Sequence, residues 1–397
     1  MGFNTFQYGV YFSGMAGTLP ELPVTYEGLR EAARERLDPK ADGYVAGSAG
    51  SEVTAANNLA AFRSWQLVPR MLRDVAERDL SIRLLDRTHP TPLLLGPVGV
   101  QSIVHDEAEV AVAKGAAAVE VPFVLSTVSS YPIEEVAEAA GDGPRWFQLY
   151  WPSEDAVADS LIQRAADAGY EAVVVTLDTR LLAWRPRDLA TAYLPFLHAE
   201  GLSNYLTDPA FLAGLPDGGE AVRTEGWRSM SEQTRQAAVL RWIATFSDPS
   251  QTWEDLRELV DRSPLPVLVK GIQHPDDARL AVDAGVAGMV VSNHGGRQVD
   301  GAMASLDALP HVVDAVGDSV PVIFDSGIRT GADCAIALAL GADAVMIGRP
   351  YVWGLALAGA AGVEHVLRCL LADLDLTLAL SGVRTVDELT RDVLRPV

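Results

Sequence analysis

The chain has 397 residues, 49% of them hydrophobic and 21% charged, which is the composition of a globular protein large enough for two domains or one large α/β barrel. Its 53 acidic residues outnumber 31 basic ones, and the net charge of -22 argues against a nucleic-acid or anionic-membrane surface, so neither is expected as a partner. Only Cys334 and Cys369 are present, which excludes a disulfide framework and a zinc-ligand spacing, and no metal is expected.

The first residues, Met1 to Val10, lack a basic start and a long apolar core, and no apolar run approaches the ~18 residues that a membrane span needs, so a cytoplasmic location is expected. Residues 1–90 read as a helical N-terminal extension. Thr25 is a cap for a helix carrying Leu29, Ala32, Ala33 and Leu37, and Asn57 to Phe62 is a second short helix. Between them, Tyr44 to Gly50 is rich in small residues that permit close packing. From Thr91 onward four apolar runs recur: Leu93 to Pro97, Ala117 to Pro122, Trp146 to Tyr150 and Ala172 to Thr176. Helix-like segments lie between them at Glu107 to Gly115, Ile133 to Ala140 and Ser153 to Gly169. Four more runs follow a break: Pro266 to Lys270, Gly288 to Asn293, Pro321 to Asp325 and Ala344 to Ile347. Pro275 to Gly285, Ser305 to Val316 and Gly331 to Gly341 separate these as Ala/Leu-rich helices. Eight buried strands alternating with helices predict a (β/α)8 TIM barrel over residues 91–380, with 381–397 as a C-terminal tail; a doubly wound open sheet is the alternative.

About 90 residues separate the fourth run from the fifth, against a few tens for every other step. Trp184 to Ser263 is therefore read as an insertion in the loop after strand four, at the barrel face where active sites lie, and as a lid. It contains a helix-like piece from Met230 to Phe246.

Polar residues gather where the strands finish. Strand three ends in Gln148 and Tyr150, strand four in Thr176 and Asp178 with Arg185 beyond, strand five in Lys270, and strand seven in Asp325. Strand six runs into Ser292-Asn293-His294-Gly295-Gly296-Arg297-Gln298. Burying these groups costs several kcal/mol unless they are paired or used. His294 has the unperturbed pKa nearest neutrality and is the candidate proton acceptor, and Arg297 offers a fork that suits a carboxylate. Asp325-Ser326-Gly327-Ile328-Arg329 and Gly348-Arg349-Pro350 close the last two strands, where barrels often hold a phosphate.

The Ser292–Gln298 motif resembles the active-site signature of the FMN-dependent α-hydroxy acid oxidases and dehydrogenases, and Asp325–Arg329 with Gly348-Arg349 resembles that family's phosphate region. The likeness runs from about Tyr26 to Ser381. Trp184 to Leu189, Leu202 to Pro209 and Lys270 to Arg279 are similar to the lactate 2-monooxygenase branch. The resemblance implies FMN as cofactor, a small L-2-hydroxy acid (lactate foremost) and O2 as substrates, oxidative decarboxylation to acetate, and a homo-oligomer, tetramer or octamer. It makes His294 the base, Asp178 its partner, and Arg185 and Arg297 the carboxylate clamp, with Tyr44 and Tyr150 as hydroxyl donors. Lys270 would stand near flavin N1, Ser126, Gln148, Thr176 and Ser292 around the flavin's polar edge, and the Val98-Gly99 backbone against N5. Asp325, Gly327, Arg329, Gly348 and Arg349 would serve the phosphate end. Val128 and Leu182 would line the substrate pocket, and the missing side chain of Gly99 would leave room there for a retained keto acid. Two other outcomes are weighed: an oxidase releasing keto acid and H2O2, and a dehydrogenase with another electron acceptor. From the residues alone, a Schiff-base aldolase or phosphate isomerase with Lys270 as nucleophile is the rival from another class.

Overall fold

The computed structural model describes residues 2–397. Eight strands close a parallel barrel: β1 Leu93–Leu95, β2 Phe123–Leu125, β3 Arg145–Leu149, β4 Val173–Thr176, β5 Val267–Ile272, β6 Gly288–Val291, β7 Val322–Asp325 and β8 Ala344–Ile347. The circle closes where Val345, Met346 and Ile347 pair with Leu93, Leu94 and Leu95. Each strand is covered on both faces, which is why it reads as a continuous apolar run; Val173 to Val175 and Val267 to Val269 are fully buried. The helices turn one apolar stripe inward. In Ile133–Ala140 the buried residues Ile133, Val136, Ala137 and Ala140 follow the helical period, and Gly141 at φ 55° ends the helix.

Three expectations need correction. The second strand is not Ala117 to Pro122. Ala117 ends the helix Ala108–Ala117, and the strand begins at Phe123, after a proline that has no N–H for the ladder. The break between β4 and β5 is not insertion to its end. Its last helix, Trp253–Arg262, buries Leu256 and Leu259, and Arg262 pairs with Asp155 and Asp159 on the neighbouring barrel helix Asp155–Asp167. Finally, one helix, Arg349–Ser381, is long and apolar enough by length and composition to cross a membrane. More than half of its apolar window is buried in the protein, and it is broken at Ala358 and Gly359, where φ is 57°. Its apolar character belongs to core packing, notably against Ala108–Ala117.

The N-terminal extension lies against the C-terminal ends of the strands. Thr25 caps Tyr26–Arg36 by accepting from the Gly28 amide, and Asp38 caps Pro39–Ala46. The next helix, Val53–Ala60, packs on the turn after β6. Asn58 and Asn293 exchange two buried side-chain hydrogen bonds of 2.8 and 2.7 Å, and a Cβ on Gly296 would stand 2.5 Å from the Ala55 nitrogen. Trp65–Leu67 pairs antiparallel with Leu394–Pro396, which ties the C-terminal tail to the extension. The insertion is anchored from beneath: Arg164 grips Glu134 with two nitrogens and reaches Asp208 and the Asn204 carbonyl.

Candidate active site

A cavity of about 500 Å3 opens at the C-terminal ends of the strands. Its wall includes Tyr44, Val98, Gly99, Val128, Tyr150, Leu182, Arg185, Lys270, His294, Arg297, Asp325, Gly327, Arg329, Gly348 and Arg349, so residues scattered over three hundred positions meet in one place. Asp178, Ser126, Gln148 and Ser292 stand in the layer behind them. Thr176 borders a second, much smaller cavity of about 40 Å3, together with Thr179 and Trp151.

His294 sits at φ 59°, in the left-handed turn that follows β6, and its Nδ1 lies 2.7 Å from Asp178 Oδ1. The Thr179 hydroxyl donates to the same carboxylate oxygen at 3.0 Å. With Nδ1–H donated to Asp178, Nε2 keeps its lone pair. Strand β5 makes room for this pair: at Gly271, φ 108°, the register with β6 shifts, and a Cβ there would meet Asp178 at 2.8 Å. Burial pushes the His294 imidazole below its ordinary pKa, against the pull of Asp178. Burial alone would raise Asp178, but His294, Lys270 and the Thr179 hydroxyl together hold it below the usual carboxylate range. Near neutral pH the pair is a neutral imidazole beside a carboxylate.

Four arginines line the cavity, and among the described residues none forms an ion pair with a carboxylate. Arg185 donates to the Arg297 carbonyl and to Gln298 Oε1. Arg297 donates to the carbonyls of Tyr44 and Gly47, both at 2.7 Å, and stacks over the Tyr44 ring at 5.0 Å. Arg349 reaches the Val45, Gly47 and Gly295 carbonyls and the Ser48 hydroxyl. Arg329 stacks over Tyr26 at 4.2 Å, and its Nε is buried without a partner. Burial, then the neighbouring charge of Arg185, pulls Arg297 down to about 10; burial, then Arg297 and Arg329, pulls Arg349 down to about 9. Both remain cationic at neutral pH. Unpaired cations crowded into one cavity of a strongly acidic chain make a site for anions.

Lys270 Nζ lies 2.9 Å from Asp325 and from Ser292 Oγ. Burial works against its charge, but Asp325 and Asp178 outweigh it and hold the ammonium above its ordinary pKa. A locked ammonium is a poor nucleophile, which weighs against Schiff-base chemistry. Ser126 Oγ bonds Gln148 Oε1 at 3.1 Å, while Gln148 Nε2 and Thr176 Oγ1 are buried without partners. Each such orphan costs about 1–3 kcal/mol unless a ligand meets it. Gly327, φ 108°, packs so close to Asn58 that a Cβ would stand 2.5 Å from its carbonyl. Gly348 is the residue from which the helix Arg349–Ser381 starts. The orphaned Gln148 amide in the layer behind the wall, with two arginines and a helix start on the wall itself, fits a flavin nucleotide.

Gly99 does not provide room for a ligand. A Cβ there would stand 2.5 Å from Val128 Cγ2 and 2.7 Å from the Val128 carbonyl, so the glycine lets two loops pack together. The sequence reading also missed the outer wall: Phe196, Trp242 and Phe246, all from the insertion, line the cavity. Trp242 and Phe246, four apart on a helix-like stretch, were the available signal, but spacing alone does not say where such a helix docks.

The chain is similar to known proteins over nearly its whole length. A model of FMN-dependent dehydrogenases matches residues 33–396. An FMN-dependent alpha-hydroxy acid dehydrogenase, qulF, of Penicillium citrinum is 44% identical over 100% of this chain and 97% of its own length. An L-lactate oxidase of Lysinibacillus sphaericus is 43% identical over 92% of this chain and 91% of its own. The crystal structure of mandelate oxidase superposes with a TM-score of 0.79 at 34% identity, covering 94% of this chain and 98% of that one.

Proposed function

Because the chain belongs to the FMN-dependent α-hydroxy acid dehydrogenase and oxidase family, we propose that it oxidises a small L-2-hydroxy acid to the keto acid and passes the electrons to O2, giving H2O2. The observation that carries this reading is the His294–Asp178 hydrogen-bonded pair at the same cavity as Arg185 and Arg297, neither of which has a carboxylate partner. In it, Arg185 and Arg297 hold the substrate carboxylate, and Tyr44 and Tyr150 donate hydroxyl hydrogen bonds. Burial, helped by Tyr44 and Asp178, keeps the Tyr150 phenol protonated and able to donate. His294 Nε2 takes the substrate proton, and Asp178 stabilises the resulting cation at Nδ1. FMN, when bound, supplies the two-electron acceptor. Ser126, Gln148, Thr176 and the Lys270–Ser292 pair would face its polar ring edge, with Val98 and Gly99 beside the ring. Asp325, through Lys270, and Gly327, Arg329, Gly348 and Arg349 would frame the rest, the two arginines on the phosphate. Lysine's fixed positive charge favours negative charge that develops beside it.

Release of keto acid is preferred over the decarboxylating outcome because relatives carry the names L-lactate oxidase and mandelate oxidase. Lactate 2-monooxygenase chemistry is the second reading, favoured by the insertion side chains that wall the cavity and would retain a product. A single turnover with L-lactate, catalase present, separates them. Stoichiometric pyruvate supports the oxidase; acetate and carbon dioxide in its place would overturn it in favour of the monooxygenase.

A further inference from the structure

Five aromatic rings run in an unbroken arc along the cavity. Tyr44 meets Phe196 at 6.4 Å between centroids, Phe196 meets Trp242 at 5.0 Å, Trp242 meets Phe246 at 4.7 Å, and Phe246 meets Tyr150 at 5.2 Å. The ends of the arc come from the N-terminal extension and from the end of β3; its three middle rings come from the insertion. Trp242, on the helix Glu232–Thr245, is 5% exposed, and that helix is tied down by the two-nitrogen grip of Arg241 on Glu154.

Among the described residues, no polar group hydrogen-bonds the hydroxyl of Tyr44 or of Tyr150. Packing of the rings therefore aims both hydroxyls. Arg297 covers one face of Tyr44, Phe196 meets its edge, and Phe246 lies against Tyr150. A small tilt of a tyrosine ring displaces the hydroxyl, its outermost atom, more than the rest of the ring. Trp242 is the ring on which both phenylalanines lean.

We infer that Trp242 is a positioning residue: through Phe196 and Phe246 it sets the Tyr44 and Tyr150 hydroxyls on the substrate, so the insertion takes part in recognition through ring packing as well as through Arg185. This rests on the proposed function, which gives the two hydroxyls their role. Aromatic contacts of this kind also exclude water, and the experiment separates the two effects by removing the hydroxyls while keeping the rings.

Oxalate, a small dianion, is titrated into the holoenzyme and its binding is read from the flavin absorbance. Trp242→Leu is expected to weaken oxalate about tenfold, the size of effect that aromatic pairs support, and Trp242→Phe, which keeps a ring, about twofold. In a Tyr44→Phe, Tyr150→Phe background the same Trp242→Leu change is expected to cost less than about twofold, because no hydroxyl remains to misplace. An undiminished loss in that background, or native affinity in Trp242→Leu itself, overturns the inference while leaving the oxidase reading intact. If the unmodified holoenzyme bound no oxalate and no hydroxy acid bleached its flavin, the proposed function would fall, and this inference with it.

Discussion

Replacing Asp178 by Asn isolates the charge that backs His294. Asp178 Oδ1 lies 2.7 Å from His294 Nδ1 and also receives the Thr179 hydroxyl, so the amide oxygen of the asparagine would settle at that position, facing two donors. The NH2 group would take the place of Oδ2, which is buried and unpartnered. The shape of the site is thus kept and one negative charge is removed. The side chains are only 18% and 13% exposed, and two unit charges about 4 Å apart in such a setting interact by up to ~4 kcal/mol. Losing about 2–4 kcal/mol of support for the imidazolium slows proton removal by about 30- to 1000-fold. The assay is anaerobic stopped-flow bleaching of the flavin by L-lactate, with FMN content measured alongside. FMN retained and bleaching slowed within that range is the expected result. Bleaching within about threefold of the native rate would refute the argument that Asp178 stabilises charge on His294.

Three further outcomes are expected. Arg185→Met and Arg297→Met each remove a charge-assisted partner from the carboxylate and should weaken oxalate by about 2–5 kcal/mol, read by titration of the holoenzyme; unchanged affinity in either would remove that residue from the clamp. Since burial lowers the His294 pKa and the base acts when neutral, kcat/KM should be full above the ordinary histidine value of 6.5 and fall only below it, and Asp178→Asn should move that fall to still lower pH. A fall that begins above 6.5 in the native enzyme would contradict this. Gly99→Ala should destabilise the protein by about 1–3 kcal/mol in denaturant unfolding, through overpacking against Val128, with Val128→Ala restoring only part because the Val128 carbonyl stays in place.

The parts of this molecule that were legible in the sequence are those whose physics is local. Strands buried on both faces must be apolar throughout, so seven of the eight were found within a few residues. The exception, β2, was misplaced because Val119 and Val121 alternate like a strand while lying between a helix end and Pro122. The glycine-flanked His294 and Arg297 stood out because a strand end is the one place in a barrel where such groups are affordable. What spacing could not supply was long-range docking. Nothing local shows that Gly99 faces Val128, that Arg297 and Arg349 hold the carbonyls at the end of Pro39–Ala46, or that Trp242 sits between two phenylalanines across the cavity. The helix Trp253–Arg262 was absorbed into the insertion for the same reason: its partners, Asp155 and Asp159, lie a hundred residues earlier.

The most direct test of the central claim is anaerobic mixing of the FMN-loaded protein with L-lactate, unmodified and as His294→Gln. Complete bleaching of the flavin in the unmodified protein, with one pyruvate formed per flavin, and an FMN-bound His294→Gln protein whose flavin stays oxidised are the expected results. A His294→Gln protein that bleaches at near the native rate would contradict the claim.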